Sequence, residues 1–146
     1  VDGVILPNLK MQGTGEACAY LDAAGRCSIH PYRPGICRLF PLGRHYENGG
    51  LFYFLQTGEC AKENRSKVKV SKWIDTPELK RNEQFKLQWH DLLSAMTDRV
   101  AGEDEGKQRE ENLLLLRLFY LLPYEGTTDF YSQFTERMEH WNEQIG

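Results

Sequence analysis

The sequence predicts an α+β protein: a small β-hairpin and loop half carrying the cysteines, followed by about three packed α-helices. Three observations predict it. All four cysteines fall within the first 60 of 146 residues, among turns rich in Gly, Pro and Asn. From Thr76 onward, apolar residues recur at steps of three and four, the period of an amphipathic helix. The charge divides in the same place. Residues 1–75 carry ten Lys/Arg against seven Asp/Glu, net +3, and residues 76–146 carry eight against fourteen, net −6.

In chain order, Ala17 to Leu21 and Arg26 to Ile29 flank Asp22-Ala23-Ala24-Gly25 and predict a hairpin. Arg38 to Tyr46 and Leu51 to Thr57 flank Glu47-Asn48-Gly49-Gly50 and predict a second. Asn-Gly is the stronger signal, because both turn positions want positive φ. Phe52, Tyr53, Phe54 and Leu55 are good strand formers. Between the hairpins runs His30-Pro31-Tyr32-Arg33-Pro34-Gly35-Ile36-Cys37. Its prolines predict a rigid turn, with one helical turn starting at Pro34. Residues 61–75, with Lys62, Arg65, Lys67, Lys69 and Lys72, read as a basic connector anchored by Val68, Val70 and Trp73.

Thr76-Pro77-Glu78 then predicts a helix start: a cap, a proline at the first position and an acid in the first turn. Phe85, Trp89, Leu92, Leu93, Met96 and Val100 form its stripe, and Ala101-Gly102 ends it. A second helix is expected from about Gln108 to Leu122, stopped by Pro123, with its leucines buried on most sides. A third is expected after Thr127 or Thr128, with Phe130, Phe134, Met138, Trp141 and Ile145 on one face. The expected organisation is a single domain over 1–146. It comprises a cysteine-containing hairpin region (1–60), the connector (61–75) and a helical region (76–146).

The composition, 40% hydrophobic and 27% charged, provides apolar material for one core. The longest apolar run, Leu113 to Leu122, is interrupted by Arg117. It is shorter than the ~20 residues a bilayer span requires, so no membrane partner is expected. No signal-peptide pattern is visible. The chain opens on Val1 in what reads as mid-domain sequence, so a fragment of a longer protein is expected. Cysteines confined to one half, beside a half able to fold on packing alone, predict reduced thiols and a cytoplasmic setting.

The cysteines follow the pattern Cys18-x8-Cys27-x9-Cys37-x22-Cys60. No C-x-x-C pair is present, so this is neither a ribbon nor a finger pattern. Cys18 and Cys27 fall near the ends of two expected hairpin arms, Cys37 follows the proline turn, and Cys60 follows a returning strand. Four thiolates on short rigid loops suit a tetrahedral zinc site or an iron–sulfur cluster. A zinc with four thiolates would carry net −2, which Arg26, Arg38, Arg33 and Arg44 are placed in sequence to offset. Buried small thiols and disulfides are the competing readings.

Among other candidates, His30 lies between two cysteines and is read first as a turn histidine. His45, His90 and His140 are scattered. Arg33 and Arg38 have the chemistry to bind a phosphate or carboxylate, but pairing with local carboxylates or thiolates is the favoured reading. The basic connector is read as solvated or resting on the acidic half, so nucleic acid is not an expected partner. There is no Gly-rich phosphate loop, no C-x-x-x-C-x-x-C radical-enzyme motif and no nucleophile elbow. Catalytic residues are therefore unassigned.

Cys18-Ala19-Tyr20-Leu21-Asp22, Gly25-Arg26-Cys27-Ser28-Ile29, Arg33-Pro34 and Cys37-Arg38-Leu39-Phe40-Pro41 together resemble the YkgJ-type cysteine-cluster family. That family is described as a zinc- or iron-chelating domain, and flagellin lysine N-methylase is grouped with it. The likeness spans residues 16–44, with Cys60 in the place of a later family cysteine. The upstream C-x-x-C-x-x-x-C-C cluster of the family is absent from this chain. The resemblance implies Cys18, Cys27, Cys37 and Cys60 as metal ligands, with zinc or a 4Fe-4S cluster as cofactor. The expected function is a metal-binding module, non-catalytic or part of a larger assembly with a protein partner. The alternatives are an iron–sulfur enzyme of protein modification, such as lysine N-methylation, and a disulfide-stabilised binding domain.

Overall fold

A computed structural model of the chain describes residues 2–14, 17–59 and 66–145. The fold is α+β, with two small antiparallel sheets and a set of helices. The strands are β1 (Met11–Gln12), β2 (Ala17–Cys18), β3 (Leu42–Glu47) and β4 (Gly50–Leu55). The helices are α1 (Gly35–Leu39), α2 (Val70–Ile74), α3 (Leu79–Val100), α4 (Glu105–Leu116) and α5 (Phe130–Ile145). The chain divides into two compact units, residues 9–87 and residues 1–8 with 88–146, so α3 contributes to both.

In the unit 9–87, the Asn-Gly signal forms the hairpin it predicts. Asn48 and Gly49 take φ of 49° and 70°, and β3 pairs with β4 in register from Leu42↔Leu55 to Glu47↔Gly50. Positive φ at both turn residues matches the right-handed twist of the strands. The first strand begins at Leu42 and not at Arg38, because residues 35–39 are helical after Pro34. The expected pairing of 17–21 with 26–29 shrinks to a single bridge, Leu21↔Cys27. Backbone bonds from Asp22 N to Arg26 O and from Ser28 N to Tyr20 O, both at 2.8 Å, flank that bridge, and Asp22 Oδ1 braces the turn by accepting from Ala24 N and Arg26 N, both at 2.9 Å. Ala17 and Cys18 pair instead with Gln12 and Met11.

Helices α1 and α2 pack on each other and bury Leu39 and Ile74. The connector residues proposed as anchors, Val68, Val70 and Trp73, remain exposed, although Trp73 Nε1 donates to Phe40 O at 3.2 Å. Residues 61–65 of the connector lie outside the described residues. Thr76-Pro77-Glu78 precedes α3 without opening it. Glu78 sits at φ 49°, outside helical geometry, and the Thr76 hydroxyl donates back to Ile74 O at 3.4 Å.

The other unit has a conventional core. The predicted stripe of α3 buries Leu92, Met96 and Val100, and that of α5 buries Phe134 and Trp141. α4 starts earlier than expected because Asp104 caps it, its Oδ1 accepting from Gly106 N and Lys107 N at 2.9 and 3.1 Å. The helix then widens into a π-helical turn, Arg117–Leu121, closed by Leu122 N to Arg117 O at 3.0 Å. Arg137 on α5 satisfies the carbonyls this end leaves open, donating to Leu118 O, Leu122 O and Pro123 O at 2.6, 2.9 and 2.8 Å. Burial of the leucine run is one-sided. Leu115, Leu118 and Phe119 are buried, whereas Leu113 and Leu121 are 55% and 73% exposed. None of the described helices is long and apolar enough to cross a membrane.

The N-terminal segment joins this unit through one side chain. Asn112, buried on α4, accepts from Ile5 N at 2.6 Å and donates to Gly3 O at 2.9 Å and Gln108 O at 2.8 Å. Val4 is buried alongside. Asn112→Leu is expected to destabilise this unit by about 1–3 kcal/mol, because it leaves the Ile5 amide and Gly3 carbonyl without their partner. Chemical denaturation followed by Trp89 and Trp141 fluorescence checks the loss. Limited proteolysis should show faster cleavage at residues 2–8; unchanged protection there would remove Asn112 as the anchor.

Candidate metal centre

The structure places three of the four candidate ligands. Cys18 ends β2 opposite Met11, and its carbonyl accepts from Leu21 N at 3.2 Å. Cys27 is the bridge partner of Leu21, and its carbonyl accepts from His30 N at 3.3 Å. Leu21 thus holds the backbones of Cys18 and Cys27 in adjoining turns. Cys37 stands in the first turn of α1, its amide donating to Pro34 O at 2.9 Å. Cys18 and Cys27 are half-buried, Cys37 is exposed, and all three are free thiols. Cys60 lies outside the described residues.

A metal site was tested against this geometry. Among the described residues, no three His, Cys, Asp or Glu side chains gather into a group able to hold a metal ion. The structure thus does not bring Cys18, Cys27 and Cys37 together as a ligand group. What they offer is three free thiols on short, turn-bound backbone, with Leu21 as a backbone partner common to Cys18 and Cys27.

Of the arginines near them, Arg38 acts on backbone. The Arg38 guanidinium donates to three carbonyls: Arg33 O at 3.4 Å, Pro31 O at 3.1 Å and Asp75 O at 3.2 Å. It thereby ties the 3₁₀ turn His30–Tyr32 to α1 and to the left-handed cap of α2 at Asp75. A planar fork of five donors suits this bridging, which a lysine cannot reproduce. Arg33 Nη1 lies 3.1 Å from His30 Nε2. Arg26 pairs with Asp22 at 3.7 Å on the surface.

A polar cluster that sequence reading missed lies where the inner face of the hairpin meets the start of α3. Arg44, Tyr46 and Tyr53 come from β3 and β4, Glu83 and Lys86 from α3. Burial, reinforced by the neighbouring Glu83 carboxylate, pushes the Tyr53 phenol up to about 12. Burial, with Arg44 beside it, pulls the Lys86 amine down, and Glu83 opposes that shift. The Tyr53 hydroxyl and the Asn82 Oδ1 are buried without a hydrogen-bond partner among the described residues. The sequence signal was faint: alternating inward positions on β3 and β4, and Glu83 and Lys86 one helical turn apart. In the helical unit, a cavity of about 450 Å³ opens between α3 and α5, with Leu92, Met96, Met138 and Trp141 lining it and Asp91 and Arg99 beside them.

Arg38→Met, which keeps the stem and removes the donors, is expected to cost about 1–2 kcal/mol, and Arg38→Lys should not restore it. Thermal and urea unfolding of the two variants checks this. Tyr53→Phe should change stability at neutral pH by no more than about 1 kcal/mol, because the Glu83 carboxylate lies near the buried hydroxyl without a well-formed hydrogen bond to it. The sign at high pH follows from the raised pKa. The unfolded phenol loses its proton near 10, the folded one only near 12. Tyr53 therefore makes stability fall as pH rises from about 10 to 12. Alkaline absorbance titration and unfolding across that range should both lose this component in Tyr53→Phe.

In comparisons with known proteins, no family model, no curated protein and no solved structure matches the chain.

Proposed function

We propose that the chain is a metal-binding cysteine-cluster module, holding zinc or a 4Fe-4S cluster through Cys18, Cys27, Cys37 and Cys60, without catalysis of its own. One observation carries the reading. Among the described residues of 9–87, only Leu39, Gly43 and Ile74 are buried, while Met11, Tyr32, Ile36, Phe40, Phe52 and Trp73 are exposed. A unit of that size with so little buried apolar surface lacks the usual offset to its conformational entropy. All four cysteines of the chain belong to this unit. Binding of a structural zinc contributes about 10–16 kcal/mol to folding in small zinc peptides, ample to supply the difference.

Three features support the reading further. The described thiols are free and at least partly open to solvent. Cys18 and Cys27 share Leu21 as a backbone partner. Residues 16–44 resemble the YkgJ-type cysteine-cluster family, whose members chelate zinc or iron. When bound, zinc would cross-link the loops as a structural ion, whereas a cluster would add one-electron redox chemistry. A cytoplasmic, reducing setting would keep the thiols available.

Anaerobically purified protein should contain about one zinc, or about four irons with broad visible absorbance, per chain. Cys37→Ser should lower that content at least about twofold and reduce thermal stability, because the lost thiolate is a direct ligand. Unchanged metal content and unchanged melting in Cys37→Ser would sink Cys37 as a ligand. Metal-free wild-type protein in which residues 9–87 resist proteolysis as well as the helical unit does would sink the proposal.

A further inference from the structure

The outer face of the β3–β4 hairpin carries a pattern that the metal reading does not use. Residues 50, 52 and 54 share one face of β4, and the register places Glu47, His45 and Gly43 opposite them. On that face the two phenylalanine rings lie down over glycines. Phe54 occupies the space a Gly43 side chain would take, with Cε1 and Cε2 each 2.7 Å from that Cβ position. Phe52 leans along its own strand over Gly50, with Cε2 and Cζ 2.9 and 3.1 Å from the Cβ position there. Both rings are nevertheless about half exposed, 55% for Phe52 and 50% for Phe54. Each therefore has one side against backbone and the other turned to solvent. The register places Gly50 and Gly43 at opposite ends of this face and on different strands, so the two rings cover separate parts of it.

We propose that this face is a stacking platform for single-stranded nucleic acid. Two half-exposed rings on one face, each lying against backbone on one side, suit planar bases, which stack on a ring face whatever their sequence. His45, exposed and directly opposite Phe52, adds a third planar group of the kind that stacks on bases. Glu47, whose carboxylate lies 3.6 Å from His45 Nε2, is the acidic side chain on this face. It can accept from a base amino group. The charge of the unit favours a polyanion: residues 9–87 carry thirteen Lys/Arg against eight Asp/Glu, net +5. Lys67, Lys69 and Lys72, in the connector set aside by sequence reading, are exposed and suited to phosphate contacts. The platform rests on hairpin geometry and does not depend on whether the cysteines hold a metal.

The test is fluorescence anisotropy of the full chain with a labelled ~12-nucleotide single strand, as RNA and as DNA, across a salt series. The same sequence as a duplex and anionic phospholipid vesicles serve as competing ligands. Binding to the single strand, weakened by salt and stronger than to duplex, is the expected result. Phe52→Leu with Phe54→Leu should weaken it about tenfold or more, because leucine keeps apolar bulk and loses the π face. Phe52→Tyr should retain binding. If the double variant loses cooperative unfolding, Phe52→Leu alone carries the test, since its ring lies over Gly50 of its own strand. Neutralising Lys67, Lys69 and Lys72 to Gln should flatten the salt dependence. Absence of single-strand binding at low salt, affinity unaffected by Phe52→Leu, or binding confined to vesicles would each overturn the proposal.

Discussion

Phe119 is the point on which the helical unit turns. Its ring meets Trp89 at 5.1 Å, Phe134 at 5.7 Å and Trp141 at 6.2 Å between centroids, so residues from α3, the π-helical turn and α5 share one aromatic junction. The tilted and edge-on angles are the arrangements aromatic quadrupoles favour. To reach the junction, the chain after α4 must bring both Leu118 and Phe119 inward. The wider π turn allows two successive residues to do so. That turn leaves carbonyls outside the regular helical ladder, and Arg137 collects three of them while its guanidinium lies 3.5 Å over the Tyr124 ring. Packing, backbone geometry and one arginine are thus parts of a single solution.

Few of the described residues of 9–87 are buried. There the ordering devices are local and polar: the Asp22 turn, the Asn48-Gly49 turn, the three carbonyls gathered by Arg38, and Trp73 bonded to the Phe40 carbonyl. Hydrogen bonds of this kind specify a conformation well. Each contributes only about 1 kcal/mol net, because water satisfies the same groups in the unfolded chain. A region built this way is shaped without being strongly stabilised, and an added ligand or cross-link has most to contribute there. The contrast between the two units is the physical reason to look for chemistry at the cysteines and not among the helices.

The hairpin illustrates how one element can serve two roles. Its inner face brings Tyr53, Arg44 and Tyr46 toward Glu83 and Lys86, with burial strong enough to hold the Tyr53 proton to high pH. Its outer face leaves two rings in the open. The glycines make this possible. At Gly43 and Gly50 any side chain would collide with a ring, so the rings rest on bare backbone, shielding it while keeping their other side free.

Much of the molecule was legible from local pattern. The mixed fold, the Asn-Gly hairpin, the helical turn after Pro34 and the apolar stripes of α3 and α5 all follow from signals spanning a few residues, where turn chemistry and periodicity act directly. Cysteine spacing identified candidate ligands in the same local way, but whether distant loops converge is not a property of spacing. Tertiary structure alone decided the remainder. β2 pairs with Met11–Gln12, a segment that carries no strand signal of its own. Glu78 leaves helical geometry ahead of α3 although its residue type suits a first turn. Asn112 ties down residues more than 100 positions earlier, and Arg137 reaches back to Leu118. These depend on which unsatisfied backbone groups happen to lie within reach of a buried donor or acceptor. Reach in space between distant segments leaves no periodic trace in the sequence that produces it.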